Sequence, residues 1–177
     1  GAGDCFLAAF VYGLTQDKTI KECLELAAKG ATESVKHLGT YILSKSDLED
    51  TVVFTNGCFD ILHIGHLKLL RHARSLGNKL IVAINSDASV KRLKGETRPI
   101  NSQEIRKETL EQLGIVDEVI IFDEDTPYET IKKIKPNIIV KGGDYTVETV
   151  VGNDLAEVAI FPKVEGYSTT NIIKASK

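Results

Sequence analysis

From Thr51 onward, short apolar runs alternate with helical patterns, and this alternation leaves few ways to fold. The runs are Val52-Val53-Phe54, residues 80–84, Glu118–Phe122, Ile138-Ile139-Val140 and residues 158–161. Helical patterns stand after them over about 65–76, ended by Gly77-Asn78, over 102–113, over 127–134 and over 169–175. Ser102 suits the N-cap of its helix, and Pro127 suits a first turn. Strands alternating with helices of this length indicate a parallel sheet covered on both faces. Strands that are apolar throughout fit that arrangement, because both of their faces are buried. The expected architecture is α/β, a doubly wound parallel sheet of five strands over 51–177. In such sheets ligands bind at the carboxyl ends of the strands, where the strand order switches.

The segment before Thr51 has a different pattern. Residues 5–14 and 18–37 read as helices, with Ile20, Cys23, Leu24, Leu26 and Ala27 at helical spacing and Gly39 as a terminating glycine. Tyr41-Ile42-Leu43 reads as a short strand, and the polar residues 44–50 as a linker. This predicts an N-terminal helical appendage over 1–43, a linker over 44–50 and the α/β domain over 51–177. The chain opens on Gly1-Ala2-Gly3-Asp4 with no initiator Met, which reads as a piece of a longer protein.

Bulk properties exclude several function classes. With 42% hydrophobic and 27% charged residues, the chain has a globular composition and not a disordered one. A net charge of -3, with no Lys/Arg-rich run, argues against a nucleic-acid surface. No apolar run has the length of a membrane span, and the first residues lack the basic-then-apolar order of a signal peptide. The cysteines, Cys5, Cys23 and Cys58, do not make a disulfide framework. The reducing cytoplasm is the simplest compartment for them.

Three loops after expected strand ends carry the chemically unusual residues. The first comprises Thr55, Asn56, Gly57, Cys58, Phe59 and Asp60, then Ile61-Leu62-His63-Ile64-Gly65-His66. Gly57 permits a tight turn. Gly65 has no side chain, so a phosphate can approach the helix start, where free amides and the helix dipole favour an anion. His63 and His66 are spaced i, i+3, so a helical first turn puts both on one face. Two imidazoles there can donate hydrogen bonds to phosphate oxygens. An isolated H-x-x-H is more often structural, or one half of a metal site. Here a strand, a glycine turn and Asp60 precede the pair, and no further Cys/His/Glu cluster completes a zinc site, so no metal ligand is assigned.

The second loop holds Lys141, Gly142, Gly143, Asp144 and Tyr145, a set suited to nucleotide or sugar contacts or to a plain turn. The third, Gly166-Tyr167-Ser168-Thr169-Thr170, opens the last helical pattern. Its hydroxyls can cap the helix or bind a phosphate. Asn85 and Asp87 follow the second strand as further ligand-facing candidates. Lys91, Arg92, Lys94, Arg98 and Arg106 form a basic cluster, by default a solvated face, but one able to neutralise a triphosphate or a sugar phosphate. Neither a Walker-type phosphate loop nor a dinucleotide G-x-G-x-x-G is present.

These motifs carry a family resemblance. GCFD leading into HIGH (57–66) is similar to the signature of the cytidylyltransferase-like nucleotidyltransferases, and Ser168-Thr169-Thr170-Asn171-Ile172-Ile173 to their second motif. AINSDASVKRLKG (83–95), RPIN (98–101), EDTP (124–127), VKGGDY (140–145) and GYSTTNII (166–173) resemble one branch, the adenylyltransferases of bacterial ADP-heptose synthesis. The resemblance covers about 51–175. Residues 1–43 resemble the end of a ribokinase-like sugar kinase, with Gly1-Ala2-Gly3-Asp4 similar to its anion-hole and catalytic-Asp motif. Asp4 would act as a base only in an intact kinase, so no kinase activity is expected of this chain.

The resemblance implies a Rossmann-like fold of the HIGH nucleotidyltransferase type. It implies transfer of AMP from ATP to D-glycero-D-manno-heptose 1-phosphate, with Mg²⁺ carried on the ATP phosphates. His63, His66 and Lys68 would be catalytic, Lys68 matching a lysine of related cytidylyltransferases. Thr55, Asn56, Gly57, Cys58, Phe59, Gly65, Lys141, Gly142, Gly143, Ser168, Thr169 and Thr170 would bind nucleotide. Asp60, Asn85, Asp87, Lys94, Arg98 and Asp144 would bind the sugar phosphate. The expected partners are these small molecules, with no nucleic acid and no membrane, and the expected assembly is a homo-oligomer such as a dimer. The competing readings are a cytidylyltransferase acting on glycerol 3-phosphate and a non-catalytic nucleotide-binding module.

Overall fold

The computed structural model describes residues 1–143 and 145–162. It divides into two compact units, Gly1–Asp50 and Thr51–Lys177. The expected helix over 169–175, with Ser168, Thr169 and Thr170, and also Asp144, lie outside the described residues.

The first unit is built on helices α1 (Ala2–Thr15) and α2 (Ile20–Ser34). Thr19 and Glu22 form a capping box that starts α2. The two helices meet through small residues: a Cβ on Gly13 would lie 2.8 Å from Cys23 Sγ, and one on Gly30 would lie 2.9 Å from Ala9 Cβ. Cys5, Ala9, Cys23 and Ala27 are buried, whereas Ile20 and Leu24 are exposed. The buried stripe therefore follows residue size and close approach more than hydrophobicity. The segment 41–43 is not a strand, because no neighbouring strand among the described residues supplies the hydrogen bonds that a strand requires. Residues 44–50, expected as a linker, contain the short helix α3 (Lys45–Leu48). Its Leu48 is buried, and Lys29 Nζ donates to the Leu48 carbonyl at 3.0 Å. One apolar residue in a polar stretch was enough to dock it.

The second unit is a five-stranded sheet: β1 (Val52–Gly57), β2 (Lys79–Asn85), β3 (Glu118–Phe122), β4 (Ile138–Gly142) and β5 (Glu157–Phe161). All pairings are parallel and the order is β3-β2-β1-β4-β5. This is the Rossmann-like doubly wound sheet that the alternation predicts. The helices are α4 (Ile64–Ser75), α5 (Asp87–Lys94), α6 (Gln103–Glu111) and α7 (Tyr128–Ile134). Successive strand residues feed opposite faces. Val53, Val82 and Val140 pack with Leu70 and Leu110, while Phe54, Ile81 and Ile139 pack with Ile131 and Val150. No helix among the described residues is long and apolar enough to cross a membrane.

Helix α5 was not legible in the sequence, which there shows a basic cluster with few apolar residues. Its start is local: the Ser86 side chain accepts from Ser89 N at 3.0 Å. Pro127 serves as the N-cap of α7 and stands just before its first turn.

Gly77 decides how α4 returns to β2. A Cβ there would lie 2.3 Å from the Thr51 carbonyl oxygen and 2.6 Å from Val53 Cγ2. That oxygen is pinned by the amides of Asn78 and Lys79, at 3.2 and 3.3 Å, so it cannot yield cheaply. Gly77→Ala should destabilise the unit by about 1–3 kcal/mol, the scale of forced overpacking. A urea titration checks this, and an unchanged midpoint would refute the steric reading.

Candidate active site

The sheet order reverses at β1, with β2 on one side and β4 on the other. A cleft of about 600 Å³ lies at this switch point. From β1 and its loop it takes Asn56, Gly57, Cys58 and Phe59; from the start of α4, His63, Gly65 and His66; from β4 and beyond, Lys141, Gly142 and Gly143. Asn85 and Lys94 line it from the β2 side. Asn56 and Gly57 belong to β1 itself, and Lys141 and Gly142 to β4, so these site residues sit on strands and not on loops.

His63 is the N-cap of α4, and its carbonyl accepts from Leu67 N at 3.2 Å. The amides of the first helical residues, Gly65 and His66 among them, have no intrahelical acceptor and define an anion-binding end. The His63 and His66 rings stack with centroids 3.8 Å apart and 20° between their planes. Burial pushes the His66 pKa down to about 4, with the positive ends of His63 and Lys94 adding to the effect and a backbone hydrogen bond at Ile61 opposing it. Burial also lowers the His63 pKa. Both rings are neutral at pH 7. Their Nδ1 atoms are shielded from solvent and meet no hydrogen-bond partner among the described residues, and Thr55 Oγ1 in β1 is in the same condition. Such atoms are costly unless a ligand satisfies them. An arriving dianion would draw protons onto the imidazoles, since an opposite charge favours their charged form.

Lys141 ties the two sides of the switch point together. Its Nζ donates to the Asn56 carbonyl at 3.1 Å and to Asn56 Oδ1 at 2.8 Å, and lies 5.2 Å from the Tyr145 ring centroid. Burial lowers its pKa to about 8, against the opposing influence of Cys58.

The loop between β1 and α4 is held from outside. Phe59 takes a positive φ of 46°, unusual for a bulky residue, and its buried ring tilts against His66 with centroids 5.1 Å apart. Asp60 Oδ1 accepts from the amides of Ile100 and Asn101 at 2.9 Å, and its Oδ2 from Arg98 Nε at 2.8 Å. Asn101 Nδ2 donates back to the Asp60 carbonyl at 2.6 Å. Burial opposes the charged form of Asp60, but the Asn101 and Ile100 amides and the Arg98 guanidinium together hold its carboxyl below the usual value. Arg106, fully buried, donates to the Cys58 carbonyl at 2.7 Å, the Asn101 carbonyl at 3.1 Å and Asp87 Oδ1 at 2.8 Å.

These contacts redistribute several expected roles. Asp60 and Arg98 satisfy each other, and Asp87 is engaged by Arg106, so none of the three lines the cleft. Lys68 is exposed. It stands roughly 200° around α4 from His66, two residues at about 100° each, and does not line the cleft either. Of the basic cluster, Arg92 is engaged with Asp123 and Asp125, and only Lys94 reaches the lining. Sequence reasoning missed the wall formed by Phe122, Asp125, Thr126 and Pro127 and the one formed by Val150, Val151 and Phe161. EDTP and the fifth strand were visible as motif and element, but no local signal aims them at a ligand.

Comparison with known proteins settles the family. Residues 54–175 match the model of the cytidylyltransferase-like family. The chain belongs to that family of nucleotidyltransferases. A second match, over residues 1–47, is to the pfkB family of carbohydrate kinases. The bifunctional protein HldE of Campylobacter concisus is 47% identical, aligned with 100% of this chain and 44% of its own length. That of Syntrophotalea carbinolica is 42% identical over 98% of this chain and 43% of its own length. The chain thus spans less than half the length of these curated relatives. Among solved structures, the lipopolysaccharide core biosynthesis protein of Thermoplasma volcanium superposes with a TM-score of 0.55 at 29% identity, over 68% of this chain and 100% of that one. Pantothenate synthetase of Thermus thermophilus shares the fold, with a TM-score of 0.51 at 17% identity over 69% of this chain and 61% of that one. The cytidylyltransferase-like match begins inside β1 and takes in the HIGH cleft.

Proposed function

We propose that this chain transfers AMP from ATP to D-glycero-D-manno-heptose 1-phosphate, releasing pyrophosphate and ADP-heptose for lipopolysaccharide core or related heptose glycan synthesis. The observation that carries the reading is the stacked His63–His66 pair at the amino end of α4, lining the cleft at the switch point. The acceptor is chosen on the motifs at 83–95, 98–101, 124–127 and 140–145, in line with the lipopolysaccharide-core relative.

A sugar phosphate has a second pKa of roughly 6 and is mostly dianionic at pH 7. One of its oxygens attacks the α-phosphorus of ATP, the bond to the bridging oxygen breaks, and pyrophosphate leaves. No general base is required. The protein's task is alignment and stabilisation of the redistributed charge. His63, His66 and the amides at the start of α4 hold the reacting phosphate oxygens. Lys141, Gly142, Gly143 and Thr170 bind nucleotide, with Ser168 and Thr169 on the leaving phosphates. Asn85 and Lys94 meet the sugar phosphate. Mg²⁺ belongs to the ATP substrate, riding on phosphates that need few protein ligands.

The test is a coupled pyrophosphate assay. Pyrophosphate should form with ATP and heptose 1-phosphate, and not with CTP and glycerol 3-phosphate. The reverse pattern would replace this reading with glycerol-phosphate cytidylyl transfer. Binding of nucleotide without turnover of either pair would leave a binding module.

A further inference from the structure

The two ends of the cleft differ chemically. Beyond β4 and β5 it is lined by Tyr145, Val150, Val151, Phe161 and Pro162, mostly apolar surface suited to the faces of a base. Beyond β2 and β3, Asn85, Lys94, Asp125 and Thr126 set polar groups among the apolar Leu93, Phe122 and Pro127. Asp125 is the one carboxylate among the described lining residues. A carboxylate is ill suited to a phosphate and well suited to hydroxyl donors, because it offers several acceptor sites and no donor.

Asp125 is also held in place. Arg92 Nε, from α5, donates to its Oδ1 at 3.1 Å, and the same guanidinium reaches the Asp123 carbonyl. Ser86, at the N-cap of α5, donates to the Asp123 carboxylate, and Ser89 Oγ donates to the Glu124 carbonyl at 3.4 Å. Residues 123–125 are therefore fastened to α5, while the Asp125 side chain keeps 74% of its surface open. From the tip of β1, where the phosphate is bound, to the tip of β3 is two inter-strand steps, about 10 Å, a distance that a phosphorylated sugar can span. It is also about one Debye length at moderate salt, so Asp125 repels the phosphates little.

We infer that Asp125 determines acceptor specificity by accepting hydrogen bonds from the sugar hydroxyls distal to the phosphate, with Arg92 as its positioning residue. The inference rests on the proposed transfer to a sugar phosphate and deepens it. A small acceptor with few hydroxyls gains little from this contact, whereas a polyol gains specificity.

The test is steady-state kinetics of pyrophosphate release for the wild type, Asp125→Ala, Asp125→Asn, Arg92→Gln and Arg92→Lys. Asp125→Ala should raise the KM for heptose 1-phosphate by about tenfold or more, the scale of lost hydrogen bonds to a charged group. The KM for ATP should stay within about twofold. Asp125→Asn and Arg92→Gln should fall between, and Arg92→Lys should recover part of the loss with kcat little changed. An unchanged acceptor KM, or an equal rise in both KM values, overturns the inference. If the wild type turns over a different polyol phosphate, the heptose assignment falls and the same comparison on that acceptor decides Asp125. If no polyol phosphate in a panel is turned over, both fall.

Discussion

Exchange of His66 for alanine is expected to lower kcat for pyrophosphate release by about 10²-fold or more, roughly 2.7 kcal/mol on the barrier. The ring is placed by three features, of which alanine would keep only the first. It stands in the first turn of α4, stacks on His63 at 3.8 Å and leans against Phe59 at 5.1 Å. Its Nδ1 is shielded from solvent and finds no partner among the described residues, a condition that a bound ligand would relieve. The loss should fall on kcat more than on the KM for ATP, since charge on the transferred phosphate peaks in the transition state. A melting temperature close to that of the wild type must accompany it. A rate within twofold of the wild type would make the histidine structural.

Removing the Asp60 carboxylate should have the largest effect on stability. Asp60→Ala leaves the Arg98 guanidinium, the Ile100 amide and the Asn101 amide without their common acceptor. Breaking a buried pair by deleting one partner costs about 3–5 kcal/mol, a large share of a typical domain's margin. The same loop carries the strained Phe59 and leads into His63, so activity should fall as well. The pH dependence has a definite sign. The folded carboxyl titrates below its unfolded value of about 4, so its contribution is complete above that value and is lost as pH falls through the folded pKa. The stability gap between wild type and Asp60→Asn should therefore be full at pH 7 and close in acid below about pH 4. Chemical denaturation across pH measures it. A gap that widens in acid would show that the carboxylate is not the stabilised form.

The contrast between Asp60 and His66 marks what was legible. Both lie in one short motif, which its glycines and its place between strand and helix single out. Nothing local separates the residue that lines the cleft from the one that braces the loop. Asp60 is buried under residues 98–101, some forty positions away in the chain. Arg98 and Asp87 read as ligand-facing, and Arg106 as part of a basic cluster, for the same reason: a charge in the sequence carries no mark of its partner. The helix over Asp87–Lys94 was hidden because so few of its residues are apolar, and its cap, Ser86, stands just past the carboxyl end of β2.

The sequence by itself determined the α/β class, the five strands and the placing of His63 and His66 at the start of α4, because these follow from local periodicity. The tertiary structure alone decided the strand order, the approach of Lys141 to Asn56 across 85 residues, and which charges line the cleft and which brace the scaffold. These depend on through-space distance: a side chain a few ångströms from a buried opposite charge is committed to it, whatever its place along the chain.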